Sequence, residues 1–288
     1  MLNILVTGAS DGIGLALSKQ LVAYHKAKVF LCARNPAKGA DALKAVVEHG
    51  KASLGKSHDA ESMVELVIMD VGVEESVAAA AKQLADKGVK LNVIVNNAGI
   101  APINATYEAE DILNVNLHGP KRVVDHFSPL FDASASCRIV HTGSGAGPMF
   151  VAKHDENKQQ RLCDPNITWE GIQELESEGW EKDSYKGYGL SKALLACYSM
   201  ALAKQHDAEK IASYCLTPGF VNTKMTKGRG ANLTPEEGTS SLRHCIFKAT
   251  PDQSGWYFGS DSERSPLHAL RSPGEPAFDG VYPWDKQS

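Results

Sequence analysis

Tyr188 and Lys192 close the run Tyr188-Gly-Leu-Ser-Lys192, and the Leu, Ala and Met content of residues 188–201 predicts a helix through it. Side chains spaced this way on a helix share one face. An ammonium beside a phenol stabilises the phenolate. The tyrosine pKa then falls from about 10 towards neutrality, and the phenol becomes a candidate proton donor and acceptor. Any exposed helix can display such a pair by accident. What it means depends on what the rest of the chain assembles around it.

The elements ahead of the pair form a regular series. Residues 2–7 read as a buried strand that runs into Gly8-Ala-Ser-Asp-Gly12-Ile-Gly14 and then an amphipathic helix over 15–24. Glycines there permit a tight turn and let backbone N–H groups approach a pyrophosphate, which rests at the positive end of the helix. Residues 28–33 form the second strand. At its end, where a carboxylate would grip the ribose 2′-hydroxyl in an NAD enzyme, the chain has Arg34. Arginine can instead accept the additional phosphate of NADP. A helix over 36–47, a polar loop over 50–62, a strand over 64–70 ending in Asp70-Val71, a helix over 74–87 and a strand over 91–96 follow. The last runs into Asn96-Asn97-Ala98-Gly99. Such alternation predicts a parallel sheet covered by helices on both faces.

Residues 108–131 read as a long helix carrying Asn114 and Asn116, bent around His118-Gly-Pro120. A fifth strand over 137–142 delivers Ser144 to the carboxyl end of the sheet, the side where doubly wound sheets place ligands. Its hydroxyl is a candidate donor to substrate. Residues 147–187 are polar and charged and break the rhythm. They read as an insertion, in which Trp169, Ile172 and Leu175 can seat a short helix on the main body; a mobile lid has the same composition. A sixth strand over 210–216 ends at Thr217-Pro218-Gly219, followed by a loop over 220–233 able to close over a ligand. A capped helix from Thr234, a short strand over 255–258 and a Pro-, Gly- and Ser-rich surface tail over 260–288 complete the chain.

Composition excludes several function classes. The net charge is -4 over 288 residues, with no basic run for nucleic acid or a membrane surface. The six cysteines are scattered without a Cys-x-x-Cys pair, which predicts buried thiols in a reducing compartment. No signal peptide or membrane-length apolar segment is legible, so the expected location is cytoplasmic. The sequons at Asn104, Asn166 and Asn232 read as chance matches. The ten histidines contain no metal-binding spacing, and no metal is expected.

Taken in order, Thr7-Gly8-x-x-x-Gly12-x-Gly14, Asp70, Asn96-Asn97-Ala98-Gly99, Asn116, Ser144, Tyr188-x-x-x-Lys192 and Pro218-Gly219 resemble the motif series of the short-chain dehydrogenase/reductase family. The resemblance spans nearly the whole chain. It implies one Rossmann-type domain over residues 1–288 with about seven parallel strands. It implies Tyr188 as acid/base, Ser144 as hydrogen-bond donor to the substrate oxygen, Lys192 on the nicotinamide ribose and Asn116 in the proton relay. Cofactor contacts are implied at Gly8, Ser10, Asp11, Gly12, Ile13, Gly14, Arg34, Asp70, Val71, Asn97, Ala98, Gly99, Pro218, Gly219, Val221 and Thr223, besides Tyr188 and Lys192.

This set suits carbonyl reduction. Negative charge grows on oxygen as hydride reaches carbon, two hydroxyl donors stabilise it, and Tyr188 supplies the proton. The expectation is NADPH-dependent reduction of a small-molecule ketone, aldehyde or quinone. A secondary-alcohol dehydrogenase and a non-catalytic NADP-binding regulatory protein are the alternatives. Asp11 stands where many NADP-using relatives carry a basic residue, so the NADP expectation rests on Arg34. The insertion ahead of Tyr188 is similar in length and position to that of carbonyl reductases and salutaridine-type reductases, which implies a monomer.

Overall fold

The computed structural model describes residues 1–54, 59–102, 107–180 and 184–287. The sequon at Asn104 and part of both the expected 50–62 loop and the insertion lie outside the described residues. Among the described residues, seven strands form one sheet in the order β3-β2-β1-β4-β5-β6-β7, with every pairing parallel. Chain order runs β1 (Asn3–Val6), α1 (Gly12–His25), β2 (Lys28–Ala33), α2 (Pro36–Leu54), β3 (Val64–Ile68), α3 (Glu74–Asp86) and β4 (Val93–Asn96). It continues through α4 (Ala109–Leu113), α5 (Gly119–Phe127), β5 (Cys137–Thr142), α6 (Ala146–Val151), α7 (Glu156–Leu162), α8 (Trp169–Ser177), α9 (Ser184–Gln205), β6 (Ile211–Leu216), α10 (Ser240–Phe247) and β7 (Tyr257–Phe258).

The inner strands are short apolar runs buried on both faces, as a sheet covered by helices requires, while edge strand β3 is only partly buried and ends in exposed Ile68. One core cluster joins α3, α5 and α9 to one face, with Leu5, Ile94, Ile139 and Leu194 inside it. The other packs α1, α2 and α10 on the opposite face around Ile4, Leu31 and Tyr214. The strand order reverses between β1 and β4, so the carboxyl ends of these neighbours diverge into the crevice where such folds bind ligands.

Three local departures from the sequence reading have physical causes. Helix α2 extends to Leu54, through residues expected to be loop, because Gly50 lets the helix approach Val22 and Ala60 closely. The expected bend near His118 takes the form of a π turn over Asn114–His118 between α4 and α5. Pro120 has no N–H to donate to the carbonyl four residues back, that of Asn116. The insertion is built largely of helices: Leu162, Ile172, Leu175 and Trp180 are buried in the main core, and α7 and α8 pack on α9.

The tail packs on the main body and carries a 3-10 turn over Pro283–Gln287. Leu267 is buried, and Tyr282 and Trp284 stack and pack against the main core.

Candidate active site

The glycine loop is shaped by what lies beneath it. Gly8 has φ +63, and a Cβ there would lie 2.7 Å from the Ala98 Cα; a Cβ on Gly14 would lie 2.5 Å from Asn97 Nδ2 and 2.6 Å from the Gly8 carbonyl oxygen. Neither position admits a side chain. Thr7 Oγ1 accepts from the backbone N–H groups of Asn97 and Ala98, both at 2.9 Å, and Asn97 Nδ2 donates to the Thr7 carbonyl at 2.9 Å. Asn97 and Ala98 thus brace the loop from below, which leaves its upper side and the N-terminus of α1 open. A backbone cradle at the start of a 14-residue helix is the geometry a pyrophosphate needs, and a nicotinamide dinucleotide fits it.

Asp11 caps α1 by accepting from the Gly12 N–H at 2.8 Å and pairs with Lys224 at 2.5 Å. Burial pushes its carboxyl pKa up, but the bonds from Lys224 and the Gly12 N–H, with the charges of Lys224 and Lys38, outweigh that and leave it below the usual value. A cleft of about 490 Å³ runs between this loop and residues 220–233, lined by Asp11, Gly12, Thr223 and Lys224 among others. Thr223 sits over Gly12, with its Cγ2 3.2 Å from where a glycine Cβ would stand. Arg34 is exposed just beyond β2, and the Ala9 N–H donates to the Cys32 carbonyl at 2.9 Å, which places the arginine at the edge of the glycine loop.

Asp70 and Val71 divide. Asp70 Oδ1 accepts from the Gly72 N–H at 2.9 Å and holds the turn after β3. The Val71 side chain is buried against Gly119, which leaves its backbone as the part of the residue that can face the site.

Lys192 is buried, and its ammonium donates to the Thr142 carbonyl at 2.8 Å. The Lys192 Nζ also lies 5.8 Å from the centre of the Tyr188 ring. Burial pulls its pKa down to about 8. Asn116 is fully buried at the π turn. Its Oδ1 accepts from the Ile100 N–H at 2.9 Å, and its Nδ2 donates to the Ile100 carbonyl at 2.9 Å and to Ser191 Oγ at 3.1 Å. Ser191 in turn donates to the Tyr188 carbonyl at 2.8 Å. A Cβ on Gly99 would stand 3.2 Å from Asn116 Oδ1 and 3.6 Å from Lys192 Nζ, so β4, the π turn and α9 converge on one point.

Ser144 is half-buried, and its Oγ accepts from the Ala146 N–H at 3.2 Å. Gly189 backs onto the Ala146 carbonyl, at 3.3 Å from a built Cβ, which brings the start of α6 against the Tyr188 turn of α9. Beneath them, Asn96, His141, Cys215 and Tyr257 lie side by side in register across four strands. Burial, then the Lys192 charge, holds the His141 imidazole down at about 3. It stays neutral, and the floor under Lys192 carries no second charge from it.

The family profile for short chain dehydrogenases matches residues 2–154. The chain belongs to this family. It is 30% identical over 290 residues to a (+)-neomenthol dehydrogenase of Arabidopsis thaliana, covering 88% of this chain and 94% of the relative. It is 29% identical over 259 residues to a carbonyl reductase (NADPH) 3 of Rattus norvegicus, with 82% and 87% covered. The salutaridine reductase structure from Papaver somniferum superposes with a TM-score of 0.73 at 26% identity, over 89% of this chain and 99% of that one. An NADPH-bound carbonyl reductase from chicken liver shares the fold, with a TM-score of 0.69 at 23% identity, 92% of this chain and 98% of that one covered. The family consists of oxidoreductases that use a nicotinamide cofactor.

Against the family pattern, the structure adds residues that spacing alone did not single out. Thr217 Oγ1 accepts from the Gly145 N–H at 3.1 Å and the Gly219 N–H at 3.3 Å, and so fixes the Ser144 turn to the Pro218-Gly219 turn. A threonine immediately before Pro-Gly was the available signal. Lys38 and Lys224 offset the charge of Asp11, a pairing between distant segments that no local pattern announces. Pro218 and Gly219 form the turn that leads into the 220–233 loop, in which Val221 is buried, and Ser10 and Ile13 are half-buried near Gly12, Ile13 packing on the core. Among the described residues, no group of histidine, cysteine and acidic side chains could hold a metal ion, and no helix is long and apolar enough to cross a membrane.

Proposed function

We propose that the protein reduces an uncharged small-molecule carbonyl to the alcohol with NADPH, with Tyr188 as proton donor. The observation that carries this reading is Lys192: a buried ammonium, bonded to the uncharged Thr142 carbonyl and close to the Tyr188 ring. Burying a charge without a carboxylate partner costs free energy, and the cost is intelligible where the charge stabilises a phenolate. NADPH, when bound, supplies the hydride. Tyr188 gives its proton to the substrate oxygen, and Ser144 donates a hydrogen bond to the charge growing there. Lys192 and Asn116 hold the site's polar groups in register. Arg34 supports NADP over NAD, with the charge of Asp11 offset by Lys38 and Lys224.

The same residues run in reverse would oxidise a secondary alcohol, a direction favoured by the likeness to a relative named as a dehydrogenase. Residues 1–288 act as one catalytic unit, a monomer. The six cysteines buried as thiols fit a cytoplasmic setting. The test is absorbance of NADPH with a panel of ketones, aldehydes and quinones, and of NADP with the matching alcohols. Tyr188→Phe should lower turnover by about 10²-fold or more while NADPH affinity stays near wild type. Tight NADPH binding with no turnover in either direction would leave the non-catalytic reading standing instead.

A further inference from the structure

Leu270 is 51% exposed, which is costly for a leucine, yet the residues on either side are anchored. Arg271 is almost wholly buried and pairs with Asp261. Its Nε donates to Ser265 Oγ at 2.9 Å, and its Nη1 donates to the carbonyls of Glu275 at 2.7 Å and Ser272 at 3.2 Å. The Gly274 N–H returns to Asp261 at 3.2 Å. Leu267 on the other side is buried. The tail therefore presents Leu270 from a fixed turn. It presents it to Gly145, where the leucine Cδ1 lies 3.1 Å from the position of a built Cβ, one residue from Ser144.

Two further exposed apolar side chains lie on segments that reach the Ser144 turn or the tail. Met149, 42% exposed, follows Gly145 by one turn, its N–H donating to the Gly145 carbonyl at 3.1 Å. Phe220, 47% exposed, follows Gly219, which contacts the tail at Ser260, 3.1 Å from a built Cβ. Exposed apolar side chains gathered at one place signal binding rather than packing. None of Leu270, Met149 and Phe220 carries charge.

We infer that Leu270 is a specificity-determining residue: the C-terminal tail forms one wall of the carbonyl pocket, and the buried Arg271–Asp261 pair positions it to favour substrates with a bulky apolar ring over short ones. This rests on the reductase reading of Ser144 and Tyr188. Removing a leucine-sized contact from an apolar pocket changes discrimination by roughly tenfold. Arg271 acts through Leu270 and is a positioning residue.

The experiment compares kcat/KM for 4-tert-butylcyclohexanone and propanal in wild type, Leu270→Ala, Leu270→Asp, Leu270→Met and Arg271→Ala. Binding of 4-tert-butylcyclohexanol to the NADP-saturated proteins is measured by calorimetry in parallel. The ratio of the two kcat/KM values should fall about tenfold in Leu270→Ala, further in Leu270→Asp, and stay near wild type in Leu270→Met. Arg271→Ala should lower it in the same direction. An unchanged ratio in both Leu270→Ala and Leu270→Asp overturns the inference. If wild type turns over none of the carbonyls and alcohols of the full panel, the reductase reading fails by itself, and if it reduces other members but neither of these two, the ratio has no value. The wall is then judged by the alcohol: about tenfold weaker binding to Leu270→Asp upholds it, whereas equal binding, or no binding to wild type, overturns it.

Discussion

The Lys192 ammonium donates to the Thr142 carbonyl at 2.8 Å, tying the first half of helix α9 to the last residue of β5. Ser144 leaves that strand end and Tyr188 stands one turn before the lysine, so a single buried bond sets the two proposed hydroxyl donors against each other. The bond does not return what burial of the charge costs. Lys192 titrates at about 8 in the folded protein against 10.5 for an ordinary lysine.

Lys192→Met should therefore stabilise the protein while inactivating it. The depressed pKa corresponds to about 3 kcal/mol of lost stability below pH 8, and the forfeited hydrogen bond returns about 1 kcal/mol. A net gain of about 2 kcal/mol at neutral pH is expected. The unfolded chain holds the lysine proton between about 8 and 10.5, so wild-type stability rises across that window and the advantage of the variant shrinks there. Urea unfolding at pH 7 and pH 10 measures both, and a variant less stable than wild type at pH 7 would contradict the account.

The same titration should appear in catalysis. Below about 8 the lysine is charged and can support the Tyr188 phenolate; above it the charge is lost. The kcat/KM for reduction should then fall as pH rises through about 8. His141, held neutral at about 3, should contribute no limb above pH 5. A pH profile flat from 7 to 10 would remove Lys192 from the chemistry.

Asn116 tests the convergence of β4, the π turn and α9. Asn116→Leu strips the Ile100 N–H and carbonyl of their side-chain partner, and Ser191 Oγ of its donor, in a fully buried position. A loss of about 2–4 kcal/mol is expected, with turnover falling more than NADPH affinity. Asn116→Asp keeps the acceptor for the Ile100 N–H but loses both donors and buries a carboxylate, so chemical denaturation should show it no more stable than the leucine variant.

The strands and the Tyr188 constellation were legible because each rests on local pattern: apolar runs between turn residues, and side chains placed at strand ends or one helical turn apart. What local pattern does not encode came from pairings across long separations. Lys224 reaches Asp11 and Leu270 reaches Gly145 from segments read as loop and tail. Val71 follows β3 on the ligand side, and the close approach of Gly119 that seats its side chain in the core is not announced by local pattern. The insertion read equally as cover or lid, because spacing identifies an apolar face on Trp169, Ile172 and Leu175 but not what receives it.

That cover bears on assembly. Helices α7 and α8 pack on α9, with Trp169 edge-on to Tyr198 at 5.3 Å and Lys121 over the Trp169 ring at 5.2 Å. We propose that this face of α9, covered by its own chain, does not pair with a second copy. Light scattering should return the 30.9 kDa monomer across a hundredfold range of concentration, and a dimer that persists on dilution would place the subunit contact elsewhere.

Arg34 and Asp11 decide the cofactor prediction together. Arg34 is exposed beside the glycine loop, whereas Asp11 is engaged by Lys224 and capped onto Gly12, so Asp11 would oppose a 2′-phosphate less than an unpaired carboxylate. Arg34→Asp should weaken NADPH by about 1.5–3 kcal/mol, the worth of a hydrogen bond between charged groups, and leave NADH nearly unaffected. Lys224→Ala should weaken NADPH less, because it frees the Asp11 carboxylate without removing the main contact, and the loss should shrink with added salt. Protein stability should change by less than about 1 kcal/mol, since the Asp11–Lys224 pair is largely exposed. Titration of each variant with both cofactors separates these effects, and equal NADPH affinity in wild type and Arg34→Asp would assign the phosphate to Lys38 and Lys224 alone.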